Sequence, residues 1–349
     1  MILSLRLQNF RSYTDKTFEF YPEANIIVGP NAIGKTNIIE AILLSTVGRS
    51  YRAKDVDLIA HTKPWARIET KDSTGTRVIK IAADQNPAKT FEINDQVYKR
   101  LPASLKLPIV LFEPNHLQLL NGSPEGRRSY LDEFIEQTSQ EYGPILRKYS
   151  RALSQRNSLL KNYVRPTNSQ LFPWNIRVSQ LGGQIVIYRQ KLVEEINKVL
   201  PDIYKSLSGD KIKTSVVYKP QLPAEGYETS YLKKLESNLD EDLRTGFTAY
   251  GPHRDDFVFM FNNHPSNAYA SRGELRTAIL ALKVTELETL KNNSSVSPVI
   301  LLDDVYSELD NSRRQSLTAY LKSNQSFITT TDADQLSKQL ASSAKLIKL

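Results

Sequence analysis

The residues with the clearest chemical purpose form one loop, GPNAIGKT (29–36), which fits the phosphate-binding pattern GxxxxGK[ST] at every fixed position. Gly29 and Gly34 allow sharp turns, so that backbone N–H groups can surround phosphate oxygens. Lys35 supplies a positive charge for the β- and γ-phosphates, and the Thr36 hydroxyl suits Mg²⁺. The loop therefore predicts ATP and Mg²⁺ as ligands.

The segments on either side of this loop predict how it is positioned. A short apolar run, 26–28, is typical of a buried strand that enters the loop, and a helix is predicted to leave it. The N-terminus of that helix carries a partial positive charge that would face the same anion. A chance match in a surface loop is the alternative, but the strand and the helix favour nucleotide binding. The apolar positions of the helix are Ile38, Ile39, Ala41, Ile42 and Leu43.

Two adjacent carboxylates, Asp303 and Asp304, close the apolar run 299–302. After a hydrophobic strand, the first acid normally supports Mg²⁺ directly or through water, and the second can orient or deprotonate the attacking water. Capping acids at a strand end are the structural alternative. A further turn that contains an aspartate, SELD (307–310), follows closely and favours the functional reading.

A second anion-binding helix end is predicted at SRGE (271–274), directly before a long helix. A serine and a glycine amide at a helix N-terminus can bind an anion separately from the phosphate loop. One chain with two such ends suggests two copies face to face, in which the second end of each copy covers the nucleotide of the other.

Length, composition and net charge limit which kinds of protein this chain can be. A chain of 349 residues predicts two lobes rather than one, and the absence of cysteine excludes disulfides and thiolate metal sites. The start, MILSLRLQNFRSY, lacks the features of a signal peptide, and no apolar run approaches 18 residues, so we expect a soluble, cytoplasmic protein. The net charge of +8 favours a polyanionic partner such as nucleic acid.

The hydrophobic pattern changes along the chain. The N-terminal part is β-rich with one major helix, and from Ser129 the pattern becomes helical. We expect Pro144, Pro166, Pro173 and Pro201 to interrupt these helices. We also expect 221–231 to be a loop and 326–331 to be the last core strand. Two apolar stripes are predicted to face the core: Ile145, Tyr149, Leu153, Leu160 and Tyr163, and Leu181, Ile185, Tyr188, Leu192, Ile196 and Leu200.

The order of these motifs resembles the ATP-binding-cassette heads of the SMC type, and in detail the RecF family of bacterial recombination mediators. The resemblance implies an α/β P-loop ATPase without a long coiled coil. Its mixed-sheet lobe would comprise 1–115 and 292–349, and an inserted, mostly helical lobe would comprise 116–291. The stretches that carry the resemblance span nearly the whole chain: 9–13, GPNAIGKTN (29–37), GRSYR (48–52), GSPEGRRSYLDE (122–133), SQRNSLLK (154–161), YGPHRDD (250–256), SRGELRTAILALK (271–283), LLDDVYSELD (301–310) and FITTTD (327–332).

The resemblance also assigns roles. Thr36 and Asp303 would support Mg²⁺, and Asp304 would be the water-orienting acid. Ser271 and Gly273 would reach the γ-phosphate across the dimer, and Asp310 would communicate between the two sites. Lys35 would act on the phosphates during catalysis. The nucleotide-binding residues would be Arg11, Gly29, Pro30, Asn31, Ala32, Ile33, Gly34, Lys35, Thr36 and Asn37.

Three departures from the family pattern predict slow hydrolysis, suited to a timing switch. Asp304 stands where cassette ATPases usually place glutamate, and it is shorter by one methylene. The signature usually reads Ser-Gly-Gly-Gln, whereas Arg272 and Glu274 stand in two of its positions here. Thr331 stands where a switch histidine is usual, and a hydroxyl cannot act as an imidazole would.

Two segments keep alternative readings. Either His116 or Gln118 could serve as the glutamine-loop residue. The segment YGPHRDD (250–256) is either a structural turn with an Arg–Asp pair, which we favour, or part of a DNA or nucleotide surface.

The leading functional prediction is an ATP-dependent DNA-binding homodimer of recombinational repair and replication restart, acting in the DNA-damage (SOS) response. ATP would close it on double-stranded DNA or on single/double-strand junctions, and weak, DNA-stimulated hydrolysis would release it. The resemblance implies RecR and RecO as partners and help in loading RecA. A non-hydrolysing ATP-sensing DNA clamp is the alternative, and a small-molecule phosphotransferase would leave 271–274 and 307–310 unexplained. A solvated helix face explains Arg151 and Arg156 as well as a role in DNA binding does. Candidate DNA contacts are Arg49, Arg52, Arg127, Arg128, Arg151 and Arg156.

Overall fold

A computed structural model describes residues 1–83, 88–162, 166–209, 212–306, 309–331 and 344–349. The chain divides into two compact units. The first unit is Met1–His116 with Glu286–Leu349, and the second unit is Leu117–Thr285. The sequence predicts one lobe made of 1–115 and 292–349, with a second lobe, 116–291, inserted between these ranges. The two units are inserted in the same way; that each lobe is a functional domain stays a prediction.

The secondary structure of the described residues is as follows. The strands are β1 (Ile2–Phe10), β2 (Tyr13–Glu19), β3 (Ala24–Val28), β4 (Trp65–Asp72), β5 (Gly75–Ala82), β6 (Ala88–Ile93), β7 (Gln96–Tyr98), β8 (Ile109–Phe112), β9 (Thr214–Lys219), β10 (Asp256–Phe261), β11 (His264–Pro265), β12 (Val299–Asp303), β13 (Ser326–Thr330) and β14 (Ala344–Lys348). The helices are α1 (Lys35–Val47), α2 (Pro124–Thr138), α3 (Tyr142–Leu160), α4 (Asn168–Ser208), α5 (Tyr227–Ser237), α6 (Leu239–Thr245), α7 (Ser266–Tyr269), α8 (Arg272–Asn293) and α9 (Asn311–Lys322).

The first unit contains two sheets. An antiparallel sheet has the strand order β2-β1-β4-β5-β6-β7, and a parallel sheet has the order β14-β3-β13-β12-β8. Helix α1 packs in the hydrophobic core that both sheets share, and most of its side chains are buried around its whole circumference. A helix that is apolar on all sides needs such burial, which explains why α1 lies between two sheets.

The parallel sheet brings distant parts of the chain to one edge. β13 pairs with β3 on one side and with β12 on the other, so that Thr330 lies opposite Val28 and Thr329 lies opposite Asp303. The carboxyl ends of these three strands therefore meet at the same edge, which is where open parallel sheets usually bind ligands. The phosphate loop leaves β3 at this edge, and the two predicted acids stand at the end of β12.

The second unit surrounds a small antiparallel sheet, β11-β10-β9, with helices. Its main helix, α4, is 41 residues long and passes through Pro173 and Pro201, so the prediction that these prolines interrupt it is wrong. A capping box, in which Thr167 N–H donates to Gln170 Oε1 over 2.8 Å, starts the helix. Each proline removes one backbone hydrogen bond, but burial of the predicted apolar face outweighs that loss. The buried face includes Leu181, Ile185, Leu192, Ile196 and Leu200.

Two further predictions about elements need correction, and a third cannot be compared with the structure. Helix α5 begins at Tyr227, within the segment expected to be a loop, and buries Tyr231 and Leu235 at helical spacing. β13 is not the last strand, because β14 follows and pairs in parallel with β3. Residue 163, expected on the first apolar stripe, lies outside the described residues.

Among the residues that the structure describes, none of the helices is both long and apolar enough to cross a lipid bilayer.

Arg156 was expected among the candidate DNA contacts, and this prediction is wrong. Its side chain is fully buried in the second unit. Its Nη1 donates to Asp242 Oδ2 and Thr248 Oγ1 at 2.8 and 2.7 Å, and its Nε donates to Asn175 Oδ1 at 2.7 Å. A guanidinium that is buried and saturated in this way stabilises the packing of helices α3, α4 and α6 and cannot reach a polyanion.

Candidate nucleotide-binding site

The phosphate loop has the geometry of an anion cradle. Gly34 has a φ of +111°, and a Cβ there would lie 2.9 Å from both Ser12 Oγ and the Tyr13 hydroxyl, so only glycine fits. Lys35 is almost fully buried, and its Nζ donates to the carbonyl oxygens of Gly29 and Pro30 at 2.8 and 3.1 Å. The ammonium group thus folds into the loop, where it supplies positive charge beside the first turn of α1.

Asp303 is the acid that faces this loop. Its Oδ1 accepts hydrogen bonds from Thr36 Oγ1 and Thr329 Oγ1, both at 2.9 Å. Its Oδ2 accepts from the Tyr51 hydroxyl, also at 2.9 Å. The structure therefore brings together the two residues that the sequence predicts as Mg²⁺ ligands, Thr36 and Asp303, and adds two hydroxyl groups that hold the carboxylate.

These donors fit a magnesium ion that enters with a nucleotide. Thr36 and Asp303 offer a hydroxyl and a carboxylate oxygen, the hard ligands that Mg²⁺ prefers. Magnesium usually takes only one or two protein ligands and completes its octahedron with phosphate oxygens and water. Within the described part of the chain there is no cluster of three or more His, Cys, Asp or Glu side chains that could hold a metal without a nucleotide.

Asp304 stands next to this pair in a special backbone conformation. Its φ is +54°, in the left-handed region that few residues other than glycine adopt, and its N–H donates to Thr329 Oγ1 at 2.9 Å. Burial raises the pKa of the Asp304 carboxyl; Asp303 also raises it, whereas the positive charge of Lys35 lowers it. A carboxyl group with a raised pKa is better suited to accept a proton from water than an ordinary aspartate.

Arg11, predicted to sit beside the phosphates, is held by a buried acid on α1. Its Nε and Nη2 donate to the two carboxylate oxygens of Glu40 at 2.9 and 3.0 Å, and its Nη1 donates to the Asp57 carbonyl oxygen at 3.0 Å. Glu40 also accepts from Ser50 Oγ at 2.5 Å and from Arg52 Nη2 at 3.0 Å. Burial would raise the pKa of Glu40, but hydrogen bonds from these partners outweigh it and lower the pKa.

Sequence reasoning missed two residues of this site. Glu40 and Tyr51 received no role, although Tyr51 lies in the segment GRSYR that carries the family resemblance. Both residues act on partners that are distant in the chain, so no local spacing could have identified them. Whether Arg11 contacts a nucleotide stays a prediction.

The predicted signature turn forms the N-terminus of α8 in the second unit. Ser271 N–H donates to Glu274 Oε2 at 2.7 Å, and Glu274 N–H donates to Ser271 Oγ at 3.2 Å. This is a reciprocal capping box, and the hydrogen bonds from Ser271 lower the pKa of Glu274. Glu274 therefore caps the helix, a role that glutamine can also fill at this position. Ser271 is exposed, and its role and that of Gly273 stay predictions.

The remaining predicted residues have the following positions. Asp310 caps α9, accepting from Arg313 N–H at 2.9 Å, and also forms an ion pair with the Arg313 side chain. Thr331 is exposed. His116 Nδ1 accepts from Glu113 N–H at 3.1 Å, whereas Gln118 is exposed, which leaves the glutamine-loop choice open. Residues 307 and 308 of the SELD turn lie outside the described residues.

The segment 250–256 holds the second unit together. Asp255 is fully buried and accepts from the Tyr218 hydroxyl and from Gln221 N–H. Asp256 accepts from Arg127 Nε and Nη2 at 2.6 and 2.8 Å, so its arginine partner comes from helix α2 and not from the segment itself. These contacts favour a structural role for both aspartates.

His253 in the same segment contacts a neutral group with each of its ring nitrogens, and nearby arginines disfavour its protonation. Its Nδ1 lies 2.7 Å from the Tyr149 hydroxyl, and its Nε2 lies 3.0 Å from the Thr248 carbonyl oxygen. Burial lowers the pKa of His253 to about 4, with the Thr248 carbonyl acting in the opposite direction. The imidazole is therefore neutral in the folded protein at neutral pH.

Comparisons with known proteins identify the family of this chain. The family model described as "RecF/RecN/SMC N terminal domain" matches residues 1–348. The DNA replication and repair protein RecF of Alkaliphilus oremlandii (strain OhILAs) is 33% identical over 346 residues, covering 96% of this chain and 94% of the relative. The protein of the same name from Clostridium botulinum (strain ATCC 19397 / Type A) is 34% identical over 344 residues, covering 97% and 94%. The chain belongs to the RecF family.

Solved structures of RecF proteins have the same fold. The recombination mediator protein RecF-ATPγS in the RecFOR pathway superposes with a TM-score of 0.88 at 29% identity, covering 100% of this chain and 96% of that chain. RecF-ATP superposes with a TM-score of 0.85 at 30% identity, covering 95% and 92%. An Smc head domain from Pyrococcus furiosus, at 17% identity and a TM-score of 0.55 over 99% and 92%, shares the fold alone. The predicted fold class and the family resemblance are confirmed.

His253 predicts a pH dependence of stability that can be isolated by substitution. Between its unfolded pKa of 6.5 and its folded pKa of about 4, the unfolded chain binds more protons than the folded one, so stability falls as pH decreases. His253→Gln cannot titrate and keeps a donor and an acceptor. By pH 5 the wild type should have lost about 2 kcal/mol of unfolding free energy relative to this variant.

The measurement is urea denaturation at several pH values between 7.5 and 5. The exposed His61→Gln variant serves as the control and should follow the wild type at each pH. Parallel curves for the wild type and His253→Gln would contradict the burial of a neutral imidazole.

Proposed function

We propose that this protein is an ATP-dependent DNA-binding protein of recombinational repair and replication restart, in which ATP closes two copies head to head on DNA. The observation that carries the proposal is the 2.9 Å contact between Thr36 Oγ1 and Asp303 Oδ1, beside the buried ammonium of Lys35. This arrangement supplies a charge for the phosphates and two oxygens for Mg²⁺ at one edge of a parallel sheet. The relatives named DNA replication and repair protein RecF support the cellular role.

The proposed ATP site lies in the lobe formed by 1–115 and 292–349. Backbone N–H groups of the phosphate loop and Lys35 would bind the phosphates, Thr36 and Asp303 would hold Mg²⁺, and Asp304 would orient the attacking water. Magnesium would neutralise the charge that develops on the phosphates. The RecF-ATP and RecF-ATPγS structures of relatives support ATP as the nucleotide. The residues proposed to contact it are Arg11, Gly29, Pro30, Asn31, Ala32, Ile33, Gly34, Lys35, Thr36 and Asn37.

The proposed dimer depends on the signature turn in the lobe formed by 116–291. In the capping box Ser271 is held next to Glu274 at the first turn of α8, where its exposed hydroxyl can contact an oxygen of another molecule. The N-terminus of α8 adds a partial positive charge, and Ser271 is exposed. Ser271 and Gly273 of one copy would therefore cover the γ-phosphate bound by the other, and Asp310 would link the two sites.

The proposed partners follow from charge and from the relatives. A net charge of +8 suits binding to double-stranded DNA and to junctions between single- and double-stranded DNA. The solved relatives are described within the RecFOR pathway, which supports RecR and RecO as protein partners and, through them, an effect on loading of RecA. Weak hydrolysis stimulated by DNA would end the bound state.

A non-hydrolysing ATP-sensing clamp is the second candidate, and Asp304 is the observation that favours it. Aspartate is one methylene shorter than the usual glutamate, and its positive φ fixes where the short side chain can point. If Asp304 cannot reach the attacking water, ATP would not be hydrolysed, and ATP binding alone would control the clamp.

Replacement of Asp304 distinguishes the two candidates. In the ATPase, Asp304→Asn removes the proton acceptor and should lower the single-turnover rate of ATP hydrolysis about 100-fold, the usual contribution of a general base. ATP affinity should stay within about twofold, because the amide is isosteric. Asp304→Glu is the matched variant that keeps the charge and should retain hydrolysis. An unchanged rate in Asp304→Asn would favour the clamp.

Replacement of Ser271 tests the dimer. Ser271→Asp and Ser271→Asn both keep an oxygen that can cap α8, but only the aspartate adds a negative charge that opposes a triphosphate. Sedimentation velocity with ATP and Mg²⁺ should show that Ser271→Asp stays monomeric, with its own ATP affinity intact, while Ser271→Asn retains dimer formation in part. ATP-driven dimers of Ser271→Asp would contradict the proposed position of the signature turn.

A further inference from the structure

The segment 50–52 in the first unit connects two buried acids. Ser50 and Arg52 donate to Glu40, while Tyr51, between them, donates to Asp303. Alternate side chains of one short segment thus point to two different carboxylates. Neither the phosphate loop nor the strand that carries Asp303 includes this segment.

The backbone of the segment is itself fixed. Ser50 Oγ accepts from the N–H groups of Arg52 and Ala53, both at 3.1 Å, which holds the chain in a tight turn. The Tyr51 ring packs against the hydrophobic core, and the guanidinium carbon of Arg52 lies 5.8 Å from the centre of that ring. The Tyr51 hydroxyl is therefore delivered to Asp303 from a rigid support.

The hydrogen bond from Tyr51 decides which oxygen of Asp303 faces the loop. The terminal torsion of an aspartate is broad and nearly two-fold, so the two oxygens could exchange positions without a partner. Thr36 and Thr329 donate to Oδ1, and Tyr51 is the hydroxyl that donates to Oδ2 in the described structure. Hydrogen bonds on both oxygens fix the plane of the carboxylate.

We propose that Tyr51 is a positioning residue that orients the Asp303 carboxylate for the magnesium ion accompanying the nucleotide. This inference rests on the proposed ATP site. Thr36 Oγ1 and Asp303 Oδ1 would hold the metal, and the Tyr51 hydroxyl, by donating to Oδ2, would keep Oδ1 in place. Residues that orient a metal ligand typically contribute 10- to 100-fold to metal affinity. Tyr51 has no direct contact with the nucleotide in this proposal.

The test separates metal binding from nucleotide binding in the full-length chain. Calorimetric titration would measure ATP affinity in EDTA and at increasing Mg²⁺ concentrations for the wild type and Tyr51→Phe. The variant keeps the ring in the core and loses only the hydroxyl. We expect its half-saturating Mg²⁺ concentration to rise about tenfold or more, with ATP affinity in EDTA within twofold of the wild type.

Tyr188→Phe is the matched control. The Tyr188 hydroxyl donates to Glu141 Oε2 at 3.2 Å in the second unit and contacts neither the phosphate loop nor Asp303 among the described hydrogen bonds. Its removal should leave the Mg²⁺ requirement unchanged. The melting temperature of each variant without nucleotide would show that the fold is intact.

The outcomes are distinguishable. A wild type that binds no ATP in either condition would overturn both the proposed function and this inference. A wild type that binds ATP in a Mg²⁺-dependent manner, with Tyr51→Phe requiring the same Mg²⁺ concentration, would overturn the inference alone. If Tyr51→Phe loses ATP affinity equally in EDTA and in Mg²⁺, the inference would also be overturned, because that pattern indicates a structural role in the loop.

Discussion

The hydrogen bond between Thr36 and Asp303 joins residues that are 267 positions apart, and the proposed nucleotide site depends on it. It can form because β13 lies between β3 and β12 in a parallel sheet, which brings the phosphate loop and the acid to one edge. Thr329 on the central strand contacts both acids, accepting from Asp304 N–H and donating to Asp303. The site is thus assembled by strand order, and both ends of the chain are needed to build it.

Buried carboxylates with saturated hydrogen bonds recur in both units. In the first unit Asp303 is held by hydroxyl groups and Glu40 by two arginines. In the second unit the buried Asp242 pairs with the fully buried Arg156, and the partly buried Asp132 pairs with the buried Arg189 at 2.9 Å. A buried charge is tolerated only when it is paired and fully hydrogen-bonded, and the loss of one partner is costly. Many of the charged residues in the family motifs therefore serve to position backbone and side chains.

Local patterns predicted much of the fold and the position of several site residues. The phosphate loop, its flanking strand and helix, and the acids at the end of β12 have short-range signatures, and the structure places Thr36 within hydrogen-bond distance of Asp303. Local sequence could not predict that helix α4 continues through Pro173 and Pro201. The burial of apolar side chains along its 41 residues outweighs the free-energy cost of the two prolines. Glu40 and Tyr51 could not be predicted either, because their partners are set by tertiary contacts.

The measurement that tests the central claim most directly is sedimentation velocity of the wild-type protein without nucleotide, with ADP and Mg²⁺, and with ATP and Mg²⁺, each with and without duplex DNA. The account predicts a monomer without nucleotide and with ADP, a dimer with ATP, and a larger share of dimer when DNA is present. A protein that remains monomeric at saturating ATP and Mg²⁺, with and without DNA, would contradict the account.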